Sequence, residues 1–153
     1  MDHNDHGNMH YKHLAIMTVL SFISMYVLMY SMVDRFENVY SSFNQVYMAA
    51  LMTAPMVFIE MVLMKMMYPN KKKNLAIVVS SILAGVLFFA LIRFQSGVGD
   101  KQFLRSMIPH HAGAILMCKE ANINDEEIKN LCSTIMQGQQ KEVDQMKAIL
   151  NRL

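Results

Sequence analysis

Leu75-Ala76-Ile77-Val78-Val79-Ser80-Ser81-Ile82-Leu83-Ala84-Gly85-Val86-Leu87-Phe88-Phe89-Ala90-Leu91-Ile92 runs for eighteen residues without a formal charge. A helix rises about 1.5 Å per residue, so such a run crosses most of a hydrocarbon core of about 30 Å. Working outward, the pattern repeats. Leu14 to Val33 is twenty residues without a charge, and Val46 to Met67 is a third apolar run that carries only Glu60 and Lys65. The sequence thus predicts an all-α chain with a membrane domain over 14–96, spans at about 14–33, 46–67 and 75–92, and the lipid bilayer as its first partner. The first span is read as a retained anchor, because Tyr30-Ser31-Met32-Val33-Asp34 offers no small-x-small cleavage site.

The connections set the orientation. Lys71, Lys72 and Lys73 follow the second span, whereas Asp34, Arg35 and Glu37 follow the first. The positive-inside rule places the lysine loop in the cytoplasm. Three spans then leave the N-terminus cytoplasmic and the C-terminal segment outside, as expected of a protein of the bacterial cytoplasmic (inner) membrane. The net charge of +2 and the lack of a basic face in the polar part give no reason to expect nucleic acid.

Residues 1–13 form a tail with His3, His6, His10 and His13. Histidine-rich tracts bind metals loosely. With a free amine on Met1, His3 could also complete a square-planar nitrogen site for Cu(II) or Ni(II). The alternative is a disordered tail whose histidines do nothing. Met48, Met52, Met56, Glu60 and Met64 recur at steps of four and share one helical face. They could form a thioether track for Cu(I), or they could be ordinary packing, since methionine adapts well to helix contacts. Glu60 is costly at that depth and calls for a partner or a cavity.

After Gly97-Val98-Gly99 the chain turns polar, and 97–153 reads as a helical hairpin. Asp100 is the expected N-cap of a helix over about 101–121, with Pro109 inside it. Asn122-Ile123-Asn124 is the expected turn. Asn124 with Glu127 reads as the cap of a second helix to about Leu150. A turn centred near Ile123 puts His110 level with Met136 and Met107 level with Gln139 or Gln140. Two such helices make a thin core, so dimerisation into a four-helix bundle, or packing on an extension of the third span, is expected.

Chemistry concentrates in Met107-Ile108-Pro109-His110-His111 and on to Met117-Cys118. Met107 shares a face with His110 three residues on and with His111 four residues on. The adjacent imidazoles point about 100° apart, so they are not equivalent ligands of one ion. Thioether with imidazole suits copper, Cu(I) above all. Met136 could add a ligand from the second helix, with Gln139 and Glu142 orienting the set. The competing reading is a pair of packing histidines that bind nothing. Cys118 and Cys132 flank the turn. They could be inert small hydrophobes, a disulfide, or metal ligands, and spacing does not separate these.

Asp100, Phe103, Met107-Ile108-Pro109-His110-His111, Ala114-Ile115, Met117, Ile128, Leu131, Ile135, Gln139, Glu142-Val143 and Met146 together resemble the bacterial domain-of-unknown-function 305 family. The resemblance covers 100–150 and leaves the spans outside it. It implies a ferritin-like helical hairpin and, from family members associated with periplasmic copper, candidate ligands at Met107, His110, His111, Met117 and Met146. A di-iron oxidase needs paired Glu-x-x-His motifs, which neither His110 nor His111 supplies. His-Glu-x-x-His, a nucleophile elbow and a P-loop are also absent, so no enzyme is expected. Two functions stand at this stage. One is a membrane-anchored copper-binding protein for buffering or tolerance, working with an unknown copper-handling partner. The other is a non-catalytic interaction module that forms homodimers or higher homo-oligomers without metal.

Overall fold

The computed structural model describes residues 3–153, with side chains from Met9 onward. Among the described residues the chain is all-helical. The helices are α1 (His3–Leu28), α2 (Phe43–Leu63), α3 (Lys71–Arg93), α4 (Asp100–Glu120) and α5 (Glu126–Arg152), with 3-10 turns at Met29–Met32, Phe36–Asn38 and Lys65–Met67. They sort into two compact units, Met1–Leu28 with Val46–Ser96, and Met29–Gln45 with Gly97–Leu153.

The first unit holds three helical stretches long and apolar enough to cross a membrane, Met9–Met32, Phe43–Leu63 and Lys71–Arg93. Their outward faces carry Val19, Leu20, Leu83 and Val86, all more than half exposed. Such surface is tolerable only against lipid or protein. α2 contributes most of what is buried, namely Ala49, Thr53, Ala54 and Met61. Small residues allow close approach: a Cβ on Gly85 of α3 would lie 3.7 Å from that of Ala54.

Polar groups gather at both ends of this unit. At one end the Tyr11 hydroxyl donates to Asn74 Oδ1 at 2.6 Å, and Asn74 Nδ2 donates to the Tyr68 carbonyl at 2.9 Å. Tyr68 in turn donates to Glu60 Oε1 at 3.2 Å. Burial and the Glu60 carboxylate push the Tyr68 phenol above its usual pKa, which keeps it a donor. Glu60 therefore has the partner its position demands. It sits in the last turn of α2, which stops at Leu63, rather than at mid-span. At the other end the Tyr47 hydroxyl donates to the Ser96 carbonyl at 3.0 Å.

The second unit is larger than the hairpin read from the sequence, because Met29–Gln45 belongs to it. α4 and α5 pack antiparallel over Leu104, Ile108, Val143 and Met146, and Tyr40 closes against this core. Met32 lies over Gly113, where an added Cβ would come within 3.3 Å of the Met32 carbonyl oxygen. Gln102 of α4 accepts the Phe43 N–H at 3.0 Å and so satisfies an orphan donor at the start of α2. Asn44 Nδ2 bonds Ser106 Oγ at 3.1 Å. The thin two-helix core is thus thickened from within the chain.

The caps differ by one residue from the reading above. Gly99 is the N-cap of α4 with Asp100 in its first turn. Asp125, not Asn124, caps α5 and accepts the Ile128 N–H at 3.0 Å. Both shifts leave a carboxylate at a helix N-terminus, which the helix dipole favours. Ahead of α4, Gly97 adopts φ 72°, a left-handed conformation that costs glycine little.

Candidate metal site

α4 presents Met107 and His111 one turn apart, and α5 presents Glu142 and Met146 one turn apart. Across the antiparallel interface His111 meets Glu142, where Nδ1 lies 3.1 Å from Oε2. Beside it, Met107 packs against the cluster of Leu104, Ile108, Val143 and Met146. Ile108 and Val143 are fully buried and fix the two helices against each other. Gln139 Nε2 donates to the same Glu142 Oε2 at 3.5 Å.

This register differs from the expected one. His111 meets Glu142, whereas the expected register put the neighbouring His110 level with Met136. The disulfide between Cys118 and Cys132 shows why. Cys118 is two residues from the end of α4, while Cys132 is six residues into α5, so α5 extends about one turn beyond α4 at the hinge end. Side chains that lean toward their own helix N-terminus add to the offset.

His111 Nδ1 is buried with Glu142 Oε2 3.1 Å away, at an angle that makes no hydrogen bond. Nδ1 therefore has no hydrogen-bond partner among the described residues. Burial, with a smaller push from His110, lowers the His111 pKa below its usual 6.5, against the opposing pull of Glu142. The imidazole is neutral at physiological pH, the form that binds metals.

The remaining candidates separate. His110 is exposed, with its ring centroid 6.1 Å from that of His111. The divergence expected of adjacent helical residues is therefore seen. Met117 is 59% exposed and turned away from the core. Met136 is partly buried but is not part of the packed cluster. Phe103 is 51% exposed, and it is Leu104 that packs with Val143 and Met146. Cys118 is tied to Cys132 and so offers no thiolate as a ligand. The site built from the Met1 amine and the His3 side chain lies outside the described residues. Met48 and Met52 of α2, and Met64 just beyond its end, are each at least 40% exposed, so their row is not an enclosed track.

Among the described residues no group of three or more His, Cys, Asp or Glu side chains converges as a metal site. A metal here would have to use the thioethers with the imidazole and carboxylate. That is a soft-biased donor set of the kind copper takes. Sequence reasoning had Glu142 and Met146 but not their pairing, and it missed Tyr40 and Met32 as the cover. The signal for that cover was a connection between the first two spans that is long and rich in aromatics, with Phe36, Tyr40 and Phe43.

Residues 60–150 match a family described as domain of unknown function (DUF305). The match begins at Glu60 and so takes in α3, which corrects the expectation that it stops at the hairpin. An uncharacterised protein of Acanthamoeba polyphaga mimivirus is 32% identical over 141 residues, which is 90% of this chain and 91% of that protein. No solved structure matches significantly.

Proposed function

We propose that this chain, which belongs to the domain of unknown function (DUF305) family, is a membrane-anchored copper-binding protein that buffers the ion or confers tolerance to it, without catalysis. The observation that carries this reading is His111 Nδ1 3.1 Å from Glu142 Oε2 at the α4–α5 interface, with Met107 and Met146 each one turn away along their own helices. A neutral imidazole with thioethers a turn away suits Cu(I) better than Mg²⁺, Ca²⁺ or a hydrolytic Zn²⁺. With Lys65, Lys71, Lys72 and Lys73 on the cytoplasmic side, the hairpin faces the extracytoplasmic side. In a bacterial host that is the periplasmic face of the inner membrane. Copper would be passed on to a partner that handles the same ion.

The test uses the full chain in detergent, since Tyr40 and Met32 belong to the hairpin's packing and a hairpin cut out at Gly99 would lack them. Cu(I) is titrated against a chromophoric chelator without a thiol reductant, so that the disulfide persists. Wild type should compete for the ion, and Met107→Leu/Met146→Leu and His111→Ala should each lose that competition. If no form competes, copper handling is wrong for this domain.

A second reading rests on a different observation. Met117, Ile128 and Leu131 are 59%, 48% and 57% exposed near the hinge of the hairpin. That apolar surface suits a module that self-associates into dimers or larger oligomers without metal. Loss of self-association in Leu131→Glu, with no copper binding in wild type, would favour it.

A further inference from the structure

A groove opens on the apolar unit among its three helices. Its volume is about 600 Å³, and its lining includes Phe22 of α1, Val57 of α2, and Ala76, Ser80, Ala84 and Phe88 of α3. The α3 residues recur at steps of four, and the small side chains along that row leave the space. From Ala76 to Phe88 the helix rises about 18 Å. Half of a hydrocarbon core is about 15 Å, so the groove is about one leaflet deep. Spread over that length, its volume gives a cross-section of about 33 Å². A helix with its side chains is about 10–12 Å across, or about 80–110 Å² in section, and does not enter such a groove. A single hydrocarbon chain does. The walls offer nothing to a polar ligand. The hydroxyls of Thr18, Thr53 and Ser81 donate to the carbonyls of Leu14, Ala49 and Val78 in their own helices, each at 2.8 Å. Both ends are fixed by packing. Ile77 joins the cluster of Leu14, Met61 and Tyr68, and the Phe88 ring lies 6.3 Å from that of Tyr47.

We propose that this groove holds one acyl chain of an anionic phospholipid, with the headgroup phosphate at Lys72. Charge selects the headgroup. Lys72 precedes Ala76 by one turn on the same row, so it stands just beyond the Ile77 end, with Lys71 and Lys73 beside it. The first turn of α3 has no acidic residue, and among the described residues none of the three lysines pairs with a carboxylate. Lys73 lies over the Tyr11 ring, 5.4 Å from its centroid. Three cations at a helix N-terminus repel one another and oppose the helix dipole. A lipid phosphate offsets both effects. Basic sites beside spans on the cytoplasmic side take anionic headgroups, and the positive-inside rule puts these lysines on that side. The site lies wholly within the first unit, so it stands apart from the copper reading.

The experiment places the full chain in nanodiscs of palmitoyl-oleoyl phosphatidylglycerol and phosphatidylcholine in equal amounts. Native mass spectrometry then counts the lipids that each chain retains. Wild type should keep one phosphatidylglycerol in preference to phosphatidylcholine. Each lysine near an anionic surface is worth about a fivefold change in affinity, so Lys72→Gln should cut that preference by about fivefold. Ser80→Leu puts a larger apolar side chain in mid-groove at an exposed position, where lipid tolerates it, and should abolish the retained lipid. Leu83→Phe, at a position 62% exposed and outside the groove, should change nothing. Circular dichroism checks that each variant keeps its helices. Equal retention of the two lipids by wild type, or an unchanged preference in Lys72→Gln, means that no headgroup is read. Retention that survives Ser80→Leu, or falls equally in Leu83→Phe, means ordinary annular lipid. A wild-type dimer that keeps no lipid and that Ser80→Leu dissociates means that a second copy covers the groove. Any of these results overturns the proposal.

Discussion

Replacing Cys118 and Cys132 together by alanine removes the staple at the hinge of the α4–α5 hairpin and leaves no lone thiol. The two residues are 14 apart in sequence and 5.3 Å apart at Cα. Opening a loop of about 15 residues in the unfolded chain costs about 3 kcal/mol of stability on the chain-entropy account. Both positions are helical, and alanine returns up to about 0.7 kcal/mol at each. The variant should therefore lose roughly 2 kcal/mol, and wild type treated with a reductant about 3 kcal/mol. Hydrogen exchange on the full chain in detergent reads this directly. Amides of α4 and α5 next to the hinge should exchange about hundredfold faster in reduced wild type, at about 1.4 kcal/mol per decade. The apolar helices of the other unit should be unaffected. The alanine variant should show no further response to reductant. If reductant changes wild-type exchange by less than about twofold, the hairpin is held by its core and cover alone, and the argument from the staple is wrong.

Other expectations follow from the same contacts. Ile108 is fully buried between α4 and α5, so Ile108→Ala should cost about 2–5 kcal/mol in thermal or denaturant unfolding of the second unit. Gly113→Val drives a side chain against the Met32 carbonyl oxygen, 3.3 Å from the Cβ position. Overpacking of this kind costs about 1–3 kcal/mol and should expose 29–45 to limited proteolysis; unchanged protection would mean the cover does not rest there. Tyr68→Phe removes the donor to Glu60 and should lower stability by about 1–3 kcal/mol, seen as a lower Tm. For pH, His111 is held below 6.5 in the fold, so the unfolded chain binds more protons between that lowered value and about 6.5. Its contribution to stability is complete above about pH 6.5 and is lost as the pH falls through the folded value. Removing the carboxylate in Glu142→Gln should lower the His111 pKa further, and a histidine NMR titration showing a rise would contradict that assignment.

The helices were legible because their signals are local. An uncharged run such as Leu75 to Ile92, a polar amphipathic stretch such as Glu126 to Arg152, and a turn at Asn122-Ile123-Asn124 each state their structure within a dozen or so residues. The candidate ligands were legible for the same reason, since Met107 and His111 share a face by helical spacing alone. What failed was register. Pairing across a hairpin depends on how far each helix extends past the turn, and the Cys118–Cys132 bond sets that offset at a distance. The cover was missed for a related reason. Tyr40 and Met32 contact α4 from a segment more than sixty residues away, and no local pattern reports a contact of that range.

That cover also bears on topology. Met29–Gln45 leaves from the end of α1 and enters α2, while Gly97–Leu153 follows α3, and the two segments share one folded unit. A connection between α1 and α2 can share a unit with the chain after α3 only if α2 and α3 together return to the same side. Either both cross the bilayer or neither does. Within the apolar unit Tyr11 of α1 reaches Asn74 of α3, and Asn74 reaches the Tyr68 carbonyl in the connection after α2. The start of α1, the end of α2 and the start of α3 are therefore neighbours, as three alternating crossings require. Lysine-to-glutamine changes at Lys71, Lys72 and Lys73 would then test only the sign of the orientation, because an inverted chain would still have to carry both segments of the second unit to one side.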